Sequence, residues 1–382
     1  MTAFCSVGVY CMRKKICFVG LDSYPVLNPS VGEIYTGGES VQQSLLAKAF
    51  RDQGYQVSVV VKDFGQCDGE IIDGIQIWKS FKDGAGLPVI RFIYPKMTSI
   101  IAALKNADAE VYYQSCAGML TGLVAWFCQR NRRCFIFRSA SDTDCIRGRQ
   151  LIKYWRDRKL YEYGLRRADI IAVQGVKQQR LLKENYHLHS EPVNMAVEPP
   201  GEGFCQVKDI DVLWVNNIRP LKRPEIFLDL AVILSDFRFV MIGGPCPGHE
   251  SYYNQILDKA KLVSNLQFLG PIPYSRVWRY FARAKVFVNT SNIEGFPNSF
   301  LQAWVRGVPV VSFFDPDGLI TNKCLGYVPF NTEEMAKYIC NFLEKRVDRL
   351  SVGDRAAIFV KNHFSAMNAA EHYIKLLETA RQ

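Results

Sequence analysis

The sequence predicts two doubly wound α/β domains in series, facing each other across a cleft. Three observations carry this. Short apolar runs alternate with helical patterns along most of the 382 residues, as β-α-β units with a parallel sheet require. The alternation stops once, from Glu191 to Asp211, where Pro192, Pro199, Pro200, Gly201 and Gly203 mark a linker, and then resumes. The length suits two domains at roughly 150 residues each.

The first strand is read at Lys15–Val19, an apolar run of strand length. From about Glu39, Val41, Leu45, Leu46, Ala49 and Phe50 recur at helical spacing until Gly54 ends the helix. Gln56–Val61 is the next strand, with others at Val111–Tyr113, Phe135–Arg138 and Ile170–Val173. Beyond the linker, strands are expected at Asp211–Val215, Phe237–Ile242, Leu266–Leu269, Val286–Asn289 and Val308–Phe313. Pro224 opens a helix at a position where its missing N–H is not needed. A further helix is expected over Ser275–Ala284. Ligands of such folds bind at the carboxyl ends of the strands.

Composition narrows the function classes. Hydrophobic residues make up 48% and charged residues 22%, which supports a packed core and excludes a disordered chain. The twelve cysteines stand singly without a Cys-x-x-Cys pair, as reduced thiols do, and this argues against a zinc site. In MTAFCSVGVYCMRKK the charges of Arg13, Lys14 and Lys15 follow the apolar residues, the reverse of an export signal. No apolar run is long enough to span a bilayer. The expected location is therefore the cytoplasm, either free or peripheral on the inner membrane face.

The net charge of +10 favours an anionic partner. Basic residues concentrate between Arg130 and Arg167, most densely over 147–167, where Tyr154, Trp155, Tyr161 and Tyr163 are interleaved. Three readings fit this stretch: a solvated helix with its aromatics packed inward, a surface for anionic lipid, or a nucleic-acid contact. No nucleic-acid motif accompanies it, and none is expected as a partner.

Three blocks carry chemistry. Thr36-Gly37-Gly38-Glu39 precedes a helix, where paired glycines let backbone approach a ligand, although a plain glycine loop reads the same way. The loop from Gly20 to Thr36 is long enough to act as a lip. Asn217-Ile218-Arg219-Pro220-Leu221-Lys222-Arg223 follows a strand and sets three cations where a diphosphate could be neutralised; the alternative is a solvated charge cluster. The third block is the most specific: Asn289 to Trp304, containing Glu294-Gly295-Phe296-Pro297-Asn298-Ser299. A strand ends, a carboxylate follows, and a loop opens a helix whose first amides are free for ligand oxygens.

This third block resembles the signature of retaining glycosyltransferase family 4, the glycosyl transferases group 1, of GT-B fold. The likeness extends over nearly the whole chain, through the Gly-Gly loop, the basic loop and the ending Lys361-Asn362-His363-Phe364-Ser365. It implies a Rossmann-like acceptor domain over 1–200 and a Rossmann-like nucleotide-sugar domain over 201–364. A final helix, 365–382, would cross back onto the first domain. It implies transfer of a sugar from a nucleotide-diphosphate donor to a hydroxyl acceptor with retention, in assembly of a surface polysaccharide or glycolipid, the acceptor being a lipid-linked glycan in some such enzymes. In that family attack is described as front-face, with the leaving phosphate helping to deprotonate the acceptor.

Carried over by resemblance, Glu294 would meet donor-sugar hydroxyls, and Lys222 with Arg219 or Arg223 would hold the diphosphate. Replacing Lys222 is then expected to weaken nucleotide binding and leave the fold intact. Amides from Gly295 to Ser299, excepting Pro297, would contact sugar and phosphate, and Gly37 and Gly38 would close from the opposite domain. The chain departs from the family at three places. Gln302 replaces a second glutamate at the ribose, Asn217 replaces an arginine of the phosphate loop, and Tyr112-Tyr113-Gln114-Ser115 stands where a histidine is usual.

Two Asp-x-Asp sequences, Asp142-Thr143-Asp144 and Asp315-Pro316-Asp317, look like metal sites of another glycosyltransferase fold. In the architecture implied here cations and amides hold the diphosphate, so no metal or other cofactor is expected. Asp142 and Asp144 are read as loop or acceptor-side residues. Two further functions use the same fold: a non-catalytic nucleotide-sugar-binding subunit and a nucleotide-sugar epimerase.

Overall fold

The computed structural model describes residues 14–31, 37–87, 92–201 and 207–380. The first sheet contains β1 Lys15–Val19, β2 Gln56–Val61, β3 Ile71–Ile72, β4 Ile75–Lys79, β5 Val111–Ser115, β6 Cys134–Arg138, β7 Ile170–Val173 and β8 Glu191–Pro192. Their order is β3-β4-β2-β1-β5-β6-β7-β8. The second sheet contains β9 Ile210–Val215, β10 Phe239–Ile242, β11 Leu266–Phe268, β12 Ala284–Asn289, β13 Val310–Ser312 and β14 Gly326–Tyr327. Their order is β11-β10-β9-β12-β13-β14. β3 pairs antiparallel with β4, whereas the central strands pair in parallel. This is the GT-B arrangement of two Rossmann-like sheets.

Both faces of each sheet are covered, so the strands read as continuous apolar runs. Side chains alternate between faces as the pleat demands. Ile16 and Phe18 join one core of the first domain, Cys17 and Val19 the other. In the second domain Leu213 enters one core, Val212 and Trp214 the other. Strand order reverses between β1 and β5 and again between β9 and β12. Ligand crevices form at such switch points, beyond the carboxyl ends of the strands.

The chain returns to its first domain at the end. The Arg346–His363 helix buries Ala356 and Val360 in the second domain. The Ala366–Thr379 helix then buries Ala369, Ala370, Tyr373 and Leu377 against Ile16, Phe18, Phe50 and Tyr113 of the first. The Tyr373 ring meets Tyr113 edge-on at 5.6 Å, and Arg138 Nη1 donates to Tyr373 Oη at 3.3 Å.

Three local differences from the sequence reading have plain causes. The linker is packed rather than loose: Val193, Met195, Ala196 and Val197 are buried, and Ala196 exchanges two hydrogen bonds with the Gln42 amide. Its Glu191–Pro192 pair adds β8 to the first sheet, while residues 202–206 lie outside the described residues. The β3–β4 hairpin was not anticipated, although Asp73-Gly74 turns it with both φ angles positive, at 52° and 77°. Strand ends differ by one or two residues, as at Val310–Ser312. The leader-like stretch through Arg13, with Cys5 and Cys11, lies outside the described residues, as do residues 32–36 at the end of the lip, Thr36 among them. The described cysteines are free thiols. Among the described residues no helix is long and apolar enough to cross a membrane.

Candidate active site

The site is built at the carboxyl ends of β9 and β12, where the second sheet reverses. After β9 the backbone turns through Asn216 and Asn217, with the Ile218 amide donating to Gly244 O at 3.0 Å. A side chain at Gly243 would place its Cβ 2.1 Å from the Asn216 carbonyl, so the close approach of these loops requires glycine there. Trp214 Nε1 donates to Thr290 Oγ1 at 3.0 Å, and Thr290 Oγ1 donates to the Lys222 carbonyl at 2.7 Å. The strand end at Thr290 thereby fixes the basic loop beside the Glu294 block.

This placement joins Lys222 to Glu294 in a buried ion pair that uses both carboxylate oxygens. Their side chains are 6% and 10% exposed. Burial pulls the Lys222 ammonium below its ordinary pKa, Glu294 opposes that pull, and the nearby Arg219 adds to it. Arg219 lines the same cavity, and its Nε is buried without an acceptor among the described residues. Two cations, Arg219 and Lys222, therefore line the cavity beside two carboxylates, Glu39 and Glu294, and an anion entering it would meet both cations. Lys222 is thus a structural residue as well as a candidate ligand. Replacing it carries a stability cost beyond the expected loss of nucleotide binding, since removing one partner of a buried pair strands the other.

The cavity has a volume of about 280 Å³. It gathers Gly38, Asn217, Arg219, Lys222, Glu294 and the loop Gly295 to Ser299, together with Gln302. Arg223 is not among its lining residues: it takes a left-handed φ of 48°, donates to Asn292 Oδ1, and lies 5.1 Å from the Phe313 ring centroid. Gly37 lines the neighbouring cavity of the first domain. Gln302 donates to Tyr274 Oη at 3.0 Å and accepts from Arg306 Nη1 at 2.9 Å, so its amide is already oriented. A larger cavity of about 700 Å³ lies beyond it and shares only Tyr274 and Gln302 with the site. The chemistry-bearing groups converge in the smaller one.

The Gly295–Asn298 loop also joins the two domains. Phe296 N donates to Gln174 Oε1 at 2.7 Å, so this amide, expected to serve a ligand, has a protein partner. Asn298 Nδ2 donates to Gly38 O at 2.7 Å, and Gln42 Nε2 donates to Asn298 Oδ1 at 2.8 Å. At Gly295 a Cβ would sit 2.4 Å from the Ala140 carbonyl. Gln174, Asn216 and Tyr274 join the site without having been singled out for it, and Glu39 joins it from the glycine block. Their one sequence signal is position: Gln174 and Asn216 each directly follow a strand, Glu39 starts a helix, and Tyr274 follows Pro273.

Both Asp-x-Asp pairs are occupied. Asp142 bridges Lys177 at 2.6 Å and accepts from Gln178. Asp144 accepts from the amides of Ala140 and Ser141 at 3.0 and 3.1 Å, and burial pushes its pKa up to about 6. Asp315 caps the Leu319–Lys323 helix through Ile320 N and Thr321 N. Asp317 reaches across the interface to Val176 N at 2.8 Å and Lys177 N at 3.1 Å, at the start of the first domain's Val176–Tyr186 helix.

Residues 203–358 match the family described as "Glycosyl transferases group 1". The match falls on the second domain and covers less than half of the chain. Two curated relatives are D-inositol 3-phosphate glycosyltransferases. That of Mycolicibacterium gilvum is 28% identical over 104 residues, 26% of this chain and 24% of the relative. That of Acidothermus cellulolyticus is 28% identical over 112 residues, 26% of this chain and 25% of the relative. The chain thus matches about a quarter of the length of these relatives. Solved structures share the whole fold. Sucrose-phosphate synthase from Thermosynechococcus elongatus superposes with a TM-score of 0.73 at 16% identity, covering 96% of this chain and 99% of that one. A TarM mutant of S. aureus bound to UDP, fondaparinux and alpha-GlcNAc-glycerol gives 0.74 at 12%, covering 95% and 99%. Anabaena HepE with UDP and glucose gives 0.71 at 14%, covering 96% and 100%.

Proposed function

We propose that the protein is a glycosyltransferase of the retaining family 4 type. It would bind a nucleoside-diphosphate sugar in the cleft cavity and move the sugar to a hydroxyl acceptor. The observation that carries this reading is the cavity shared by Glu294, Lys222 and Arg219 at a strand switch point, where Lys222 is paired with Glu294 and Arg219 Nε has no acceptor among the described residues. A diphosphate would take Lys222 and Arg219, compensating the charge that builds as the C1–O bond to phosphate breaks. Glu294, released from Lys222, would then accept hydrogen bonds from sugar hydroxyls. The acceptor hydroxyl attacks C1 and its proton passes to the departing phosphate oxygen, so the chemistry needs no protein base and no metal. A panel of UDP-, GDP- and ADP-sugars tests the reading by thermal shift, since a ligand of the native state raises Tm. One donor should stabilise the protein and lose its nucleoside diphosphate when acceptors are added. Arg219→Met should weaken that shift. Stabilisation without release across acceptors indicates a binding subunit; a changed sugar still on its nucleotide indicates an epimerase.

The same reading extends to a membrane-borne glycan acceptor, reached from the inner membrane face. Of the interleaved aromatics only Tyr161 is buried; Tyr154 is 54% and Trp155 76% exposed, beside an exposed Leu151. The neighbouring Ile93 and Tyr94 are exposed too, and Arg156 stacks on Phe92 at 3.4 Å, tying the two segments together. Apolar side chains beside exposed Arg147, Arg149, Lys153 and Lys159 suit an anionic bilayer surface, where each cation contributes about 1 kcal/mol. Sedimentation should show binding to anionic vesicles and not to neutral ones, lost in high salt and on charge reversal at Arg156, Arg158 and Lys159. Equal binding to both, or to neither, removes this extension.

A further inference from the structure

The cavity of about 700 Å³ behind the Glu294 site is walled by both domains and by the chain between them. Val26 and Leu45 face it from the first domain, Pro199 and Pro200 from the linker, and Trp278 and Val305 from the second. It meets the Glu294 cavity only at Tyr274 and Gln302. Neither the basic loop nor residues 294–299 reach it. Its occupant would be a second ligand, apart from the one that Lys222 and Arg219 face.

Two cations of its lining, Lys208 and Arg306, have no acidic partner among the described residues. Lys208 Nζ donates to the Arg306 carbonyl at 3.4 Å and forms no ion pair. Arg306 Nη1 donates to the carbonyl and to Oε1 of Gln302, at 3.1 and 2.9 Å. Arg306 Nε is sealed from solvent without an acceptor; Nη2 also lacks one among the described residues but is not sealed off. Arg349 lies near Lys208 and gives its Nη1 to the Phe342 carbonyl at 2.9 Å. Burial, with these two arginines beside it, pulls the Lys208 ammonium down to about 8. The remaining charged lining offsets this only from a distance. Lys48 lies 3.7 Å from Asp73. Glu198 and Asp354 are exposed residues, and neither pairs with Lys208 or Arg306, although Glu198 attracts Arg306 at longer range.

Half-buried cations without an acid are costly, and an anion relieves the cost. A phosphate monoester suits two of them together. It carries a charge of about −1.5 to −2 at pH 7 and three acceptor oxygens, and its bonds to ammonium and guanidinium are charge-assisted. The wall away from the cations is apolar, made by Val26, Leu45, Trp278, Ala282, Val305 and Ala357. A cavity with a large apolar wall and a few convergent polar groups fits a ligand of the same make-up, an apolar body with one charged end. Inorganic phosphate would answer the cations and leave the apolar wall in contact with water. An uncharged apolar molecule would cover the wall and leave the cations unmet.

We infer that this interdomain cavity is a binding site for a phosphate monoester with an apolar body, its phosphate held by Lys208 and Arg306. The site does not depend on sugar transfer in the adjoining cavity. Calorimetry on the full chain at pH 7 tests it with three probes: phenyl phosphate, inorganic phosphate and phenol. Phenyl phosphate should bind more tightly than either of the others by roughly tenfold or more, because it alone buries an apolar ring and answers the cations. Lys208→Met removes a buried charge and should fold; it should abolish that preference. Arg306→Gln should abolish it too, and decides the matter if the first variant does not fold. Arg219→Met, in the neighbouring cavity, should leave the affinity for phenyl phosphate unchanged. Phenyl phosphate bound no more tightly than phenol or inorganic phosphate overturns the inference. Affinity lost in Arg219→Met and kept in Lys208→Met overturns it as well, since the probe would then sit beside Lys222 and Glu294.

Discussion

Lys222 and Glu294, 72 residues apart in sequence, meet as a buried ion pair in the cleft. The pair holds together the two loops that carry the donor site, and a ligand must divide it to use both members. Breaking a buried pair from one side is expected to cost roughly 3–5 kcal/mol, because the surviving charge stays desolvated. Lys222→Met and Glu294→Gln should each lower the urea midpoint clearly. The double variant should lose less than the sum, by at least about 1 kcal/mol of coupling. Strict additivity would show that the pair does not act as one unit.

Asp317 joins the second domain to the first through two amides of the Val176–Tyr186 helix. Its φ of 50° is left-handed, a conformation asparagine also tolerates, so Asp317→Asn removes the charge without new strain. Loss of one of the two amide bonds, and of the charge, should cost less than the ~1 kcal/mol of a whole cap. It should also raise the radius of gyration in X-ray scattering and raise the donor KM more than it lowers kcat. Gly175→Ala should behave alike, since its Cβ would lie 2.0 Å from Asp317 Oδ2. An unchanged radius and KM in both variants would show that the contact does not govern closure.

Lys208 carries a pH-dependent burden. Burial, with Arg349 and Arg306 nearby, lowers its pKa from 10.5 to about 8. Between those values the unfolded chain holds the proton that the folded chain has released, so this group's effect on stability improves as pH rises through that window. Below about pH 8 the penalty of a buried charge is present in full. Lys208→Met should therefore raise Tm at pH 7, with a gain that shrinks toward pH 10. A gain independent of pH would point to packing instead.

Activity, once a donor is found, should survive EDTA. Asp142, Asp144, Asp315 and Asp317 each spend their carboxylates on protein donors, and Lys222 and Arg219 line the cavity proposed to hold the diphosphate. Loss with EDTA that manganese restores would contradict this.

What could be read from the sequence was what local physics encodes. Strands buried on both faces give apolar runs such as Lys15–Val19 and Ile170–Val173, and these matched to the residue. The Glu294 block and the Lys222 loop were legible because a carboxylate, glycine and cations crowd at strand ends. The Ile71–Lys79 hairpin escaped notice because its first strand spans only two residues, too few to show a period, despite the Asp73-Gly74 turn. Contacts between domains left no local trace. Gln174 meets Phe296 across 122 residues and Asn298 meets Gly38 across 260. Such pairings depend on how two folded sheets dock. The same holds for Arg223, whose neighbour Lys222 turns inward while it turns to Asn292.

The Glu294 cavity is proposed to transfer a sugar from a nucleoside diphosphate. The most direct measurement is an NMR-followed incubation of the protein with the stabilising nucleotide sugar and a hydroxyl acceptor, alongside Glu294→Gln. Nucleoside diphosphate and a new glycoside should form in equal amounts, with the donor's anomeric configuration kept. Glu294→Gln should slow turnover by roughly 100-fold or more, as loss of one preorganised polar group does. An inverted product, or a variant that turns over as fast as the unaltered protein, would contradict the proposed transfer.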